Sequence, residues 1–281
     1  MEYRPGPQRA VIGLLAAMAV GLLTACGGSA AGSAGSTSVE SELTPTGSAD
    51  QVRAPAVQSV TGGELGQVCQ NLLAIDSVPL PDTGPAADPA ANVAYGKAVG
   101  PLLAAAVDAA PAALASQLNL LVPIVAASEK GAALPVDDPS MLTAIATYES
   151  WAQASCGFQQ VELMAMDYEF DGAPESLAAG PTSLSLMNHS TKGESHIAAI
   201  GRLRPGQQVG PRELVDMSLD QLGQYLEVLP NSAAASPGQT VGVLVDLTPG
   251  HYFLLCTSQS DDADPTTGHL YKGMLAEFDV E

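Results

Sequence analysis

Basic residues are scarce in this chain: ten Lys or Arg stand against 30 Asp or Glu in 281 residues, a formal net charge of −20. So acidic a body repels nucleic acid and anionic lipid surfaces, which sets aside functions that need a basic face; the same charge favours solubility and steers cations toward the protein. Histidine is missing from the first 188 residues, so the N-terminal half carries no imidazole chemistry. Also missing are Gly-x-Ser-x-Gly, His-Glu-x-x-His and any phosphate-binding loop, the spacings that serve hydrolases, zinc proteases and nucleotide-using enzymes. The chain is therefore not expected to be an enzyme. The paired acids Asp137-Asp138 and Asp261-Asp262 stand in turn-like stretches, where solvated loop charge accounts for them, with a weak calcium site between Asp261 and Asp264 as the alternative.

What is present begins with a short basic lead, Arg4 and Arg9, followed by an apolar run over 10–25 that closes on Leu23-Thr24-Ala25-Cys26. This order predicts a signal peptide over 1–25, and the run falls short of the ~20 residues of a spanning helix. Leu-Thr-Ala-Cys resembles the lipobox of bacterial lipoproteins. That resemblance implies lipidation of Cys26, a new N-terminus there, and a body anchored to the cell membrane on its periplasmic or extracellular side; a plain secretory signal is the alternative. Without 1–25 the chain keeps 29 acids against 8 bases. Residues 26–62 are rich in Gly, Ser, Ala, Thr and Pro without apolar periodicity, a disordered tether with a reach of roughly 30 Å.

From 63 to 157 the spacing predicts four helices and a small all-α bundle. The first carries Leu65, Val68, Cys69, Leu72 and Leu73. Asp88-Pro89 and Asp138-Pro139 are cap-plus-proline starts for the second and fourth, the latter running through Met141, Ile145, Tyr148 and Ala152 to Cys156. Ala110-Pro111 opens the third, which Pro123 is expected to kink or end early. The acids on these helices read as a solvated face. From 158 to 281 the pattern changes to period two, as in Val161, Leu163, Ala165 and in Val241, Val243, Val245, Leu247. This predicts an all-β Greek-key sandwich, a second domain, interrupted by one inserted helix over Pro211–Leu229.

All four histidines, His189, His196, His251 and His269, lie in the β half with Cys256 and Met274. Two imidazoles, one thiolate and a weak thioether suit copper in electron transfer, because soft sulfur favours Cu(I) while imidazole serves both oxidation states. Leu247-Thr-Pro-Gly-His-Tyr-Phe-Leu-Leu-Cys256, His269-Leu-Tyr-Lys-Gly-Met274 and Ala276-Glu-Phe-Asp-Val280 resemble the C-terminal ligand loop and last strand of cupredoxins, the plastocyanin and azurin superfamily. Upstream, Tyr168-Glu-Phe-Asp-Gly and Leu186-Met-Asn188, leading to His196, are similar to the segment with the first histidine ligand. Cys156-Gly157 and the inserted helix resemble, more narrowly, secreted cupredoxin-like proteins with an N-terminal helical domain.

The resemblance implies type 1 copper held by the Cys256 thiolate, His269, His196 as first imidazole with His189 in reserve, and Met274 as axial ligand. The His269 to Met274 spacing follows plastocyanin. Between Cys256 and His269 twelve residues intervene where plastocyanins have two. One such domain and four histidines are too few for a multicopper oxidase. His251, just after a turn, reads as a solvent-facing strand residue.

Cysteine parity bears on the same site. With Cys26 lipidated, three cysteines remain in an oxidising compartment; a Cys69–Cys156 bridge joins the ends of the bundle and leaves Cys256 for metal, or as an inert buried thiol. Two functions fit: a membrane-anchored extracytoplasmic copper protein that passes single electrons or holds copper, with a redox or envelope protein as partner, and a metal-free interaction module of the cell envelope.

Overall fold

The fold is that of a computed structural model that describes residues 62–82, 87–259 and 268–281. The leader, Cys26, the tether up to 61, and Asp261, Asp262 and Asp264 lie outside the described residues.

Four helices come first: α1 Gly62–Asp76, α2 Pro89–Ala109, α3 Ala112–Ser128 and α4 Pro139–Ser155. The starts of α2 and α4 are set locally. Asp88 Oδ1 accepts the Ala90 N–H at 2.9 Å, and Asp138 Oδ1 accepts those of Ser140 and Met141 at 2.7 and 3.2 Å, each aspartate preceding a proline in the first turn. Pro123 does not end α3, which runs on to Ser128. An interior proline costs about 3 kcal/mol, and burial of Leu114, Leu118, Leu121 and Val125 along one face of α3 offsets it. By length and composition α2 is apolar enough to cross a membrane, but its Val99, Leu103 and Ala106 lie in the core the four helices share with Leu72, Leu118, Met141 and Tyr148. A disulfide joins Cys69 of α1 to Cys156 at the end of α4.

The strands follow: β1 Gln159–Met166, β2 Glu169–Asp171, β3 Ser176–Leu177, β4 Gly180–Asn188, β5 Ala199–Leu203, β6 Leu226–Asn231, β7 Thr240–Leu247, β8 Gly250–Leu255 and β9 Leu275–Val280. They form two sheets, ordered β2-β1-β4-β7 and β3-β9-β8-β5-β6. The β1/β4 and β3/β9 pairs are parallel and the rest antiparallel. Val161, Leu163 and Ala165, with Leu184, Leu186, Val243 and Val245, turn inward from the first sheet onto Ile200, Tyr252, Leu254 and Phe278 of the second. That is the period-two alternation of the sequence made into a sandwich core.

The inserted helix is not one helix over 211–229. It is two short ones, α5 Pro211–Leu214 and α6 Leu219–Tyr225, and the last part of the stretch is strand β6. Ser218 starts α6 by a reciprocal cap: its Oγ accepts the Gln221 N–H while its own N–H donates to Gln221 Oε1. Leu226 then pairs with Leu203 of β5. The helical spacing of the leucines persists because Leu214, Leu222 and Leu226 all pack over Phe253 and Leu255 on the outer face of the second sheet.

The change from helix to strand falls between Ser155 and Gln159, yet residues 62 onward cluster as one compact unit. Leu244 of β7 is fully buried in the helices' core. β7 is an outer strand of its sheet, and two of its N–H groups that face away from β4 meet helix carboxyls: Gly242 donates to Glu149 Oε2 at 3.0 Å and Leu244 to Asp76 Oδ2 at 2.9 Å. Tyr148 donates its hydroxyl to Asp76 Oδ1 at 2.5 Å. Two of the helix acids therefore face the sheet, contrary to the solvated-face reading, because an outer strand's N–H groups need acceptors when water is excluded.

Burial pushes Asp76 up to about 6, and burial together with Asp76 pushes Glu149 well above the usual carboxylate range. A raised folded-state carboxyl contributes stability that is complete below its unfolded value near 3.8 and is lost as pH rises through about 6. His196, which burial holds down to about 4, acts in the opposite sense below its ordinary 6.5, so the carboxyls are read by difference. Asp76→Asn/Glu149→Gln, which keeps an acceptor for each N–H, is expected to gain on the order of 2 kcal/mol relative to the parent between pH 5 and pH 8. Urea midpoints at the two pH values check this; an equal difference at both defeats it.

Candidate metal centre

Each candidate ligand is set by backbone contacts at one end of the sandwich. His196, between β4 and β5, exchanges two main-chain hydrogen bonds with Ala235, at 3.0 and 2.8 Å. Cys256 directly follows β8, and its N–H donates to Met274 O at 3.1 Å. His269 opens a single 3-10 turn, Leu270–Lys272, closed by Gly273 at a left-handed φ of 94°. This reversal, open to glycine without strain, lets the Met274 N–H return to His269 O at 3.0 Å. His196, Cys256, His269 and Met274 are all 0% exposed.

The side chains of three of them converge. His196 Nδ1 lies 3.0 Å from His269 Nδ1, and Cys256 Sγ lies 3.4 Å from His269 Nδ1 and 3.7 Å from His196 Nδ1. A triangle with these edges has its equidistant centre roughly 2.0 Å from each corner, against ~2.0–2.1 Å for a metal–imidazole bond and ~2.3 Å for a metal–thiolate bond. The donors present thus fit a small transition-metal ion in trigonal coordination, and a soft thiolate beside two imidazoles is a set that can bind copper. Met274 is tied to Cys256 and His269 by main-chain hydrogen bonds and belongs to the same apolar cluster as Cys256. His189 does not join: it is exposed on the sandwich surface. His251 is also apart, with Nδ1 2.8 Å from Asp279 Oδ1 and Nε2 3.5 Å from Glu277 Oε2.

Burial, reinforced by the charge of His269, holds His196 down to about 4, and burial pushes the Cys256 thiol up. Sγ accepts the Ile197 N–H at 3.5 Å, the local dipole that favours a thiolate. His196 Nε2 is buried without a hydrogen-bond partner.

A polar cover that the ligand spacing did not reveal lies over His269. Its Nε2 is 3.3 Å from Glu194 Oε2, and Glu194 is 13% exposed. Glu194 Oε1 accepts the Tyr168 hydroxyl at 3.0 Å, and Lys272 Nζ donates to that hydroxyl at 3.0 Å. Lys192 and Lys272, two of the chain's four lysines, sit 4.2 and 4.3 Å from the Tyr168 ring centre, and the ring meets His269 edge-on at 5.3 Å. Asn188 ties the cover down, donating to Glu194 O at 2.8 Å and Ala235 O at 2.7 Å. The one sequence signal for Glu194 is its place two residues before a candidate ligand histidine.

No family model and no curated protein matches the sequence. Among solved structures the chain is similar to auracyanin B, with 20% identity over 44% of this chain and 88% of that one and a TM-score of 0.30. It is also similar to the azurin Az-iso2 of Methylomonas sp. strain J, with 10% identity over 44% and 98% and a TM-score of 0.28. Rusticyanin from Thiobacillus ferrooxidans gives 13% identity over 44% and 78% and a TM-score of 0.29.

Proposed function

We propose that this chain is a membrane-anchored extracytoplasmic copper protein that passes single electrons or holds the ion, with His196, Cys256 and His269 as the trigonal donors and Met274 as the axial one. The observation that carries the reading is the triangle of two Nδ1 atoms and one Sγ whose centre stands at metal-bond distance from all three. Copper bound there supplies a one-electron couple. Cys256 gives up its thiol proton as the ion enters, so uptake is tighter at higher pH. Glu194 stands 3.3 Å from His269 Nε2, and its negative charge favours the tautomer with the proton on Nε2 and the Nδ1 lone pair turned inward, the role a carboxylate takes beside a ligand histidine. The full burial of His196, Cys256, His269 and Met274 keeps bulk water from the ion. Arg4, Arg9, the apolar run and Leu23-Thr24-Ala25-Cys26 support anchoring through Cys26, and a redox or envelope protein is the partner in that compartment.

Titration of the purified chain with Cu(II) is expected to bind one equivalent with an intense visible absorbance. Glu194→Ala is expected to retain copper about 10- to 100-fold less tightly, with Glu194→Gln recovering part of the loss. A protein that stays colourless and takes up no stoichiometric copper overturns this reading in favour of the metal-free envelope module.

A further inference from the structure

Six methionines lie among the described residues, and three of them, Met164, Met166 and Met187, are 39–42% exposed. The three lie together. In the parallel β1/β4 pair Met164 is the direct partner of Met187, and Met166 lies two residues further along β1, on the same face. The last partners of that ladder are Ala165 and Asn188, and the N–H of His189 donates to Ala165 O at 2.9 Å, which extends it one step and sets exposed His189 beside Met166. On the other flank Met164 pairs with Asp171 and Met166 with Glu169, both exposed. Inward-facing Ala165, Phe170 and Asn188 are buried, so the alternation turns all six of these outward residues to one side of the sheet.

Neighbouring strands run about 4.8 Å apart, and residues two apart on a strand about 6.6 Å. Methionine has three rotatable bonds, enough for thioethers so spaced to reach a common point. Exposed methionine gains little from burial here; a thioether offers instead a soft donor, which selects Cu(I) over harder cations. Asp171 and Glu169 add negative potential on a strongly acidic body.

We infer that this face is a second metal site, which binds Cu(I) through the thioethers of Met164, Met166 and Met187 with the His189 imidazole as a further donor. The chain leaves it directly for the buried centre: Asp167 and Tyr168 turn β1 into β2, and the segment after His189 carries Glu194 and His196. Binding at the face stands on its own residues. Its use as the place where the ion is first taken up rests on the copper reading above, and passage inward is ligand exchange with no change of oxidation state.

The test is anaerobic Cu(I) titration, in competition with a chromophoric chelator, of the full chain carrying Cys26→Ser, which removes an unrelated thiol. Two equivalents are expected. Met164→Leu/Met166→Leu/Met187→Leu, which keeps side-chain volume and leaves the melting temperature in place, is expected to lose one equivalent by at least 100-fold in affinity; His189→Ala should weaken the same one. Cys256→Ser/His269→Ala is expected to lose the other. A triple-leucine chain that still takes two equivalents, or a parent that takes one equivalent lost with Cys256 and His269, overturns the inference and leaves the patch as a protein-docking face. One equivalent lost in the triple-leucine chain but kept by Cys256→Ser/His269→Ala upholds the surface site and removes the buried one.

Discussion

Replacing Cys256 with serine is expected to abolish the visible absorbance of the copper-loaded chain, where removing a secondary contact would only weaken it. The band requires a sulfur that is deprotonated and bonded to the ion, and among the described residues Cys256 is the free cysteine. A serine hydroxyl at the same buried point keeps its proton, so it is neither a soft donor nor a charged one. The fold is expected to survive: the exchange alters one atom, and the nearer imidazole, Nδ1 of His269 at 3.4 Å from Sγ, is placed to take the new hydroxyl's hydrogen bond after a small side-chain adjustment, so the hydroxyl is not left as an unsatisfied buried polar group. Absorbance and metal analysis of the variant, with an unchanged unfolding midpoint as control, decide the matter. A variant that keeps the band would move the sulfur ligand to another residue.

The second large effect is on stability. Cys69 and Cys156 are separated by 87 residues, and the loop-closure model gives about 4–5 kcal/mol for a bridge of that span. Set against the ~5–15 kcal/mol that holds a typical domain together, removal by Cys69→Ala/Cys156→Ala should bring the chain near its unfolding transition at physiological temperature. Urea denaturation reports it as a fall in midpoint. A fall of less than ~1 kcal/mol would mean that the denatured chain already keeps α1 close to α4, so that the bridge removes little freedom.

Some of this was legible in the residues because its causes are local. Asp88-Pro89 and Asp138-Pro139 start helices by bonds that span two or three residues, and the alternation of Val161, Leu163 and Ala165 needs only its own strand. The choice of His196 over His189 was latent in the same alternation: Leu184, Leu186 and Asn188 face inward, so His189, one step on, faces out. The spacing between Cys256 and His269 departs from plastocyanin, yet the two meet in the structure, the His269 N–H donating to Ser258 O at 3.0 Å. What stayed hidden depends on distant partners. Glu194 meets a histidine 75 residues away, and Asp76 meets an amide 168 residues away; spacing along the chain carries no sign of either. The split of the inserted helix is hidden because Leu214 of α5, Leu222 of α6 and Leu226 of β6 line one surface, so a helical period runs on across two junctions, of which the Ser218 cap marks only the first.

The join between the helices and β7 also governs how copies of this protein behave toward one another. A sheet ends in a row of amides that will pair with any other extended chain, and crowding of copies raises the chance of such templating. Glu149 and Asp76 occupy that row at Gly242 and Leu244. The N-terminal helices thus guard against strand-to-strand polymerisation, and since they are synthesised before β7, the guard is already made when the vulnerable strand emerges.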